Sequence, residues 1–385
     1  MAFHLTGEWL AVATWDDGLT FGSTLWETAR FSAEGAHRAL KFSRDGTRLG
    51  FAPTREEAGL MEVAIPFAFR AWKSDAGPEE SFNLAISDDG KWAVTTSATK
   101  AHLWDTTARV KVDSRSLPAK AIWVEPLFQS SNQCVYVSAA SFGVRRWTLA
   151  KAPDGRLRFG EERTICETNG FMAQRFAFDG RSLVVGDYRQ RPPTISLWLD
   201  GDPTRARKLA GDQPITGYRL VPGTRWAVTT SILESDVWLW DFETGERLRH
   251  LGLNGRASAE PSANGRWLVG RSREEFGVWE VGTWKRLTRW PARLDEASLT
   301  LFSSPDSRLL ATYNPGGRFL LRELPSGEDL VLLTPPQPIP VQNFQFSPDS
   351  RRLLFMSNNG QMFDWNLSEI RQDLANLGLD WADRR

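Results

Sequence analysis

The sequence predicts an all-β protein assembled from nine repeats, and three observations carry that expectation. A turn residue recurs at Gly7, Gly46, Gly90, Asn132, Gly180, Thr224, Gly265, Ser307 and Ser350, with successive gaps of 39, 44, 42, 48, 44, 41, 42 and 43 residues. A second landmark follows each by 14 to 19 residues, at Trp26, Met61, Trp104, Trp147, Trp198, Trp240, Trp279, Arg322 and Trp365. Finally, the chain holds 18 Trp against 4 Tyr, so one large apolar group is placed again and again. Two landmarks that keep step nine times exclude a coincidence of composition.

Each unit reads as short strands separated by turns. The "SPDS" and "DG" elements set up the first turn, because Asp caps its own turn and Gly accepts a positive φ. Two residues on comes a position that is often large (Trp9, Arg48, Trp92, Trp226, Trp267, Leu309, Arg352) and opens an apolar strand such as "LAVA", "AVTT" or "LLAT". Since Arg is tolerated there, period-2 alternation places that residue at a partly exposed edge and its successor inside. A third strand ends at the Trp landmark, as in "KAHLWD", "DVWLWD", "FGVWEV" and "QMFDWN". A unit of three or four such strands cannot bury both faces alone, and stacking the units radially solves that problem.

A period near 42 with Trp-Asp at a strand end resembles the WD40-repeat family of β-propellers over nearly the whole chain. The dipeptide is literal at Trp104-Asp105 and Trp240-Asp241 and looser at Trp26-Glu27, Trp147-Thr148, Trp198-Leu199, Trp279-Glu280 and Trp365-Asn366. The family's opening Gly-His is missing. With only His4, His37, His102 and His250 present, its buried histidine network cannot recur, so packing must set the geometry. The resemblance implies a WD40-like propeller over 1–367, with units near 1–33, 34–76, 77–119, 120–168, 169–213, 214–255, 256–296, 297–338 and 339–367. The last unit stops at its third strand, so closure is open to two readings. Either all nine units make one large or imperfectly closed ring, or the later seven or eight close with a strand borrowed from unit one or two, such as "ARFS" or "PFAFRAW"; we favour one ring, of seven to nine blades, that uses most of the units.

Residues 368–385 read as a short amphipathic helix and tail. Ser368 is the expected cap, Ile370, Leu374 and Leu377 form the stripe, and Gly378 is the stop. That stripe suits a cap packed on the propeller, or a docking element. The words "LANLGLDW", Leu374 to Trp381, resemble the ending of propeller regions in large bacterial WD40 proteins, some with a serine/threonine kinase domain. The resemblance implies a module of a bacterial signalling protein; the chain itself has no Gly-rich phosphate loop, no "HRD" and no "DFG".

Composition narrows the function. Lys plus Arg and Asp plus Glu number 47 each, which argues against nucleic acid as a partner and against an anionic membrane surface. No apolar run is long enough to span a bilayer and the N-terminus lacks a signal-like pattern, so a cytoplasmic location is expected. Cys134 and Cys166 are too few for a disulfide framework or a four-thiolate zinc site. No nucleophile elbow or metal motif is present; "WDDG" and "SDDG" are acidic turns, and His102 is a structural strand residue. The sequence therefore predicts a non-catalytic scaffold or sensor with no cofactor, binding a protein or peptide through the loops between second and third strands. Tyr188, Arg189 and Arg191 are the leading candidates, followed by Arg271, Arg273, Trp15 and Tyr313, because aromatic and Arg side chains dominate interface hot spots. The alternatives are a propeller hydrolase or lactonase with a central-channel site, and a ligand-binding or nucleic-acid-binding propeller.

Overall fold

Short strands of alternating polarity joined by tight turns fold as antiparallel hairpins, and successive hairpins of one repeat merge into one sheet. The structure is a computed structural model that describes residues 2–380 apart from 4–8, 14–18, 24–28, 34–38, 45–47, 53–58, 63–67, 73–80, 122–123, 130–132, 154–155, 168–170, 177–181, 188–193, 210–216, 231–236, 254–256, 294–299, 315–316, 336–337 and 377–379. Among the described residues lie eight four-stranded sheets and one three-stranded sheet, an all-β architecture consistent with a β-propeller. The chain divides into two compact units, Met1–Phe67 and Ala68–Arg385.

The first unit holds a four-stranded sheet (Ala2–Phe3, Trp9–Ala13, Leu19–Ser23, Ala29–Ala33) and a three-stranded one (Ala39–Phe42, Arg48–Ala52, Gly59–Glu62). The "ARFS" segment considered above as a closing strand is the outer strand of the former, paired with Leu19–Ser23.

The second unit holds seven four-stranded sheets. Sheets one to six span 81–116, 125–166, 171–209, 217–250, 258–291 and 301–333, each with its strands in chain order. Sheet seven takes three strands from Val341–Phe346, Arg352–Ser357 and Met362–Asn366, and its fourth from Phe69–Ala71 of the "PFAFRAW" segment, antiparallel to Met362–Asn366.

The recurrent Trp wedges sheets together. Trp147 packs with Val94 and Leu103 of sheet one, Trp198 with Val144 of sheet two, and Trp279 with Val228 and Leu239 of sheet four. Trp104 of sheet one lies with Leu354, Met356 and Met362 of sheet seven. A ring this size removes 150–250 Å² from water, which is why one residue type recurs at the joint. Two Trp indoles are also anchored on the second strand: Nε1 of Trp104 donates to Thr95 Oγ1 (2.9 Å) and that of Trp240 to Thr229 Oγ1 (2.7 Å). In sheet seven Phe355 stands at the corresponding place. It belongs instead to an aromatic chain in which Phe302, Phe344, Tyr313 and Phe319 lead through Phe355 to Phe363, Phe69 and Trp365, with successive centroids 4.8–6.0 Å apart.

Burial follows the strand reading at most positions: Trp92, Trp226, Trp267 and Arg352 are partly exposed, while their successors Ala93, Ala227, Leu268 and Leu353 are buried. Leu309 departs from it, being itself buried beside buried Leu310, as an apolar side chain at that position has no charge to keep in water. The preceding turns are built alike. In Ser87, Ser262, Ser304 and Ser347 the hydroxyl donates to the Asp or Asn two residues on and accepts the amide five residues on. The landmark residues Gly90, Gly265, Ser307 and Ser350 adopt positive φ; in sheet four that conformation falls on Gly223, one residue before Thr224.

Ser at a left-handed position is costly, and the structure supplies its reason. The Ser307 hydroxyl accepts the Asn264 amide (2.9 Å) and the Ser350 hydroxyl accepts the Asp306 amide (3.0 Å), so each stitches its turn to that of the preceding sheet. Ser350→Ala, which keeps the strained φ and loses the acceptor, is expected to cost about 1–2 kcal/mol; Ser350→Gly should cost roughly 1 kcal/mol less. Urea unfolding of the pair checks this.

These turns also titrate. Burial pushes the Asp349 carboxyl up, but hydrogen bonds from Ser347 and Arg351 and the charges of Arg352 and Arg351 outweigh it and hold the group below its ordinary 3.8. A depressed pKa stabilises the fold fully above the ordinary value, and that contribution disappears as pH falls through the folded value. Asp349→Asn should therefore flatten the acid limb of the stability profile, measured by thermal unfolding across that range, with no added loss below it.

The tail helix α1, Leu367–Asn376, is present, with its cap two residues earlier than the sequence suggested. Asn366, not Ser368, accepts the amides of Ser368 and Glu369, and its own amide group donates to Glu369. The reason is reciprocity: Asn366 and Glu369 satisfy each other, whereas Ser368 lies inside the first turn. Leu367 is buried and Ile370 and Leu374 are half-buried; Leu377 and Gly378 lie outside the described residues.

Candidate binding surface

Turns between second and third strands emerge at one end of each sheet, because strand order repeats from sheet to sheet. Of the sequence candidates, Trp15, Tyr188, Arg189 and Arg191 lie outside the described residues. The other three belong to neighbouring sheets five and six.

Arg273 is exposed at the tip of the Trp267–Arg271 to Glu275–Glu280 hairpin. Its turn is rigid: the Ser272 amide donates to the Glu275 carbonyl (2.8 Å), and the Ser272 hydroxyl accepts the amides of Glu274 and Glu275. Arg271 requires a correction. It is the last residue of a strand and only 1% exposed, with its guanidinium 4.9 Å from the Phe276 centroid, so it braces the hairpin from inside. Its place in "RSREE" reads as a loop, but the cross-strand pairing with Phe276 gives the guanidinium an aromatic face to cover. Tyr313 is a half-buried strand residue whose ring lies against Phe344 and Phe319. The loop that follows it is pinned by Asn314, whose carbonyl accepts the Gly317 amide and whose side chain accepts the Arg318 amide. At Gly317 (φ 77°) a Cβ would sit 2.4 Å from the Ile339 carbonyl oxygen, so only Gly fits. Arg318, exposed, follows directly and was not singled out from the sequence.

Beneath these turns lies a charged lattice that sequence reasoning missed. In sheets four and five a fourth-strand Arg covers the third-strand Trp of its own sheet, Arg247 and Arg286 lying 4.9 Å from the rings of Trp240 and Trp279, while Arg115 of sheet one reaches across to the Trp147 ring of sheet two at the same distance. In sheet six the pair is exchanged. Arg322 occupies the Trp place, 1% exposed and 5.0 Å from Phe276 of sheet five, and its register partner is Asp329. Arg322 Nε donates to Asp329 Oδ1 (2.8 Å), and Arg293 pairs with the same carboxylate. Nearby, buried Glu275 accepts Arg286 Nη2 (2.8 Å) and pairs with Arg289. A buried Arg persists only with a carboxylate and a π face at hand, and here both are supplied by register.

Chemically, the lattice holds shape. Among the described residues no group of three His, Cys, Asp or Glu could hold a metal ion. His102 is buried with Nδ1 2.8 Å from Ser114 Oγ, and exposed His250 packs on the Trp238 ring at 4.9 Å. Cys134 and Cys166 are buried free thiols. No helix among the described residues is long and apolar enough to cross a membrane. In comparison with known proteins, no family model and no curated protein matches the chain.

Proposed function

We propose that the second unit is a closed, seven-bladed WD40-type propeller and that the chain is a non-catalytic scaffold or sensor that binds a protein or peptide. Closure is supported by the pairing of Phe69–Ala71 with Met362–Asn366 and by the contacts between sheets seven and one. There Asn343 Nδ2 donates to Asn83 Oδ1 (2.9 Å) and Gln345 Nε2 to the Leu84 carbonyl (2.7 Å).

The observation that carries the binding reading is the pairing of exposed Arg273 and Arg318 with turns locked from beneath. Rigid display lowers the ordering cost of association, and Arg offers bidentate, carboxylate-directed contacts. The partner is then a protein or peptide with acidic side chains. A cytoplasmic setting agrees with two unpaired thiols, and the tail's resemblance suggests a bacterial signalling protein.

Affinity capture from native lysate tests this reading, comparing the intact protein with Arg273→Ala plus Arg318→Ala and with Arg189→Ala plus Arg191→Ala. The expected result is a discrete partner lost, at least tenfold, from one variant or both. An unchanged partner set contradicts the surface assignment. Turnover of esters or lactones by a protein that captures nothing contradicts the scaffold.

A further inference from the structure

The Trp-to-Arg exchange in sheet six has left its outer strand unlike the others. An outer strand presents a row of unpaired backbone groups, and proteins guard such edges with charge, proline or a covering element. The guards are visible elsewhere in the second unit. Val110–Ser116 carries Lys111, Asp113 and Arg115; Leu157–Cys166 carries Arg158, Glu161, Glu162 and Arg163; Glu246–His250 carries Arg247 and Arg249; Arg286–Pro291 carries two Arg and ends in Pro. In sheet seven the outer strand is three residues long, and its Arg70 reaches Glu369 of α1 at 3.7 Å. The outer strand of sheet six reads Asp329-Leu-Val-Leu-Leu333. Its single charge is turned to Arg322 and Arg293, while Leu332 is 47% exposed, the most exposed of the large hydrophobics among the described residues.

We propose that this edge is a homodimer interface in which Asp329–Leu333 pairs antiparallel with the same strand of a second copy, continuing sheet six across a two-fold axis. The occupant follows from self-complementarity. An antiparallel two-fold maps each residue onto one of the same pleat face, so the axis passes through a residue, and centring it on Val331 gives full overlap. Val331 then opposes Val331, Leu330 opposes Leu332, and Asp329 opposes Leu333. Each exposed Leu332 is covered by a Leu of the partner copy, and no like charges face each other. The same operation on Glu246–His250, centred on Leu248, would set Arg247 against Arg249, a repulsion that bars that edge from self-pairing.

Sedimentation velocity of the intact chain over roughly 1–200 μM tests the pairing, a range suited to a small edge interface. The expected result is a reversible monomer–dimer equilibrium that Leu332→Lys weakens at least tenfold, with the circular dichroism and melting of the wild type because the side chain is already half in solvent. The geometry has its own signature. Under mild oxidation Val331→Cys should cross-link two copies, since directly opposed residues lie about 4.5–5.5 Å apart at Cα, whereas Leu332→Cys should not, its two copies being more than about 7 Å apart. A monomer at every concentration overturns the proposal. So does a dimer indifferent to Leu332→Lys, or cross-linking at 332 equal to that at 331.

Discussion

Asp364→Ala is expected to lower folding stability by about 3–5 kcal/mol, the usual cost of removing one partner from a buried ionic cluster. The Asp364 side chain is fully buried in the third strand of sheet seven. Its Oδ1 accepts Trp72 Nε1 (2.7 Å) and Arg109 Nε (2.8 Å), and its Oδ2 accepts Arg109 Nη2 (3.3 Å). One carboxylate thus holds the segment leading out of the Phe69–Ala71 strand and the turn between the last two strands of sheet one. Removing it takes this acceptor from the buried Trp72 indole N–H and the carboxylate from the Arg109 guanidinium at the joint. Asp364→Asn keeps an acceptor for Trp72 and loses the charge, so it should fall between wild type and Ala. Urea denaturation followed by Trp fluorescence measures both, and Arg109→Ala should prove nearly non-additive with Asp364→Ala because the two act through one contact.

Phe355→Ala is expected to cost a similar 3–5 kcal/mol by leaving a cavity in a close-packed region. Phe355 is fully buried and touches Phe319 of sheet six and, within its own sheet, Phe363 and Phe69 of the outer strand, with centroids at 5.0, 4.9 and 6.1 Å. Leu at this position should recover part of the loss, since it refills volume without restoring ring contacts. If Phe355→Ala melts within a degree or two of the wild type in calorimetry, the aromatic chain does not tie these sheets together.

Local features were legible in the sequence, and features made by distant residues were not. The Ser-x-Asp turns were readable because their hydrogen bonds span two to five residues, and the Trp landmarks because each sheet needs the same wedge. The joint at Asp364 joins residues 292 and 255 positions apart, so no window along the chain reveals it. Arg271 illustrates the same limit at short range: its letters suit a loop, and only the register against Phe276 buries it. The exchange at Arg322 did leave a signal, an Arg where Trp recurs, with Asp329 seven residues on where Arg247 and Arg286 follow their Trp at the same distance. Read together, those two departures identify one compensated substitution. They also explain why the edge strand beside it lost its positive charge.

Native-state hydrogen exchange at the Trp72 amide, which donates to the Met362 carbonyl (2.9 Å) just beyond the Phe69–Ala71 strand, tests the proposed closure most directly. In a ring closed by Phe69–Ala71, this amide should exchange only through the cooperative opening that exposes the inner strands, with a protection free energy within about 1 kcal/mol of that at Phe355, and Asp364→Ala should lower both together. Exchange of Trp72 by a separate local opening several kcal/mol lower, unaffected by Asp364→Ala, would contradict it.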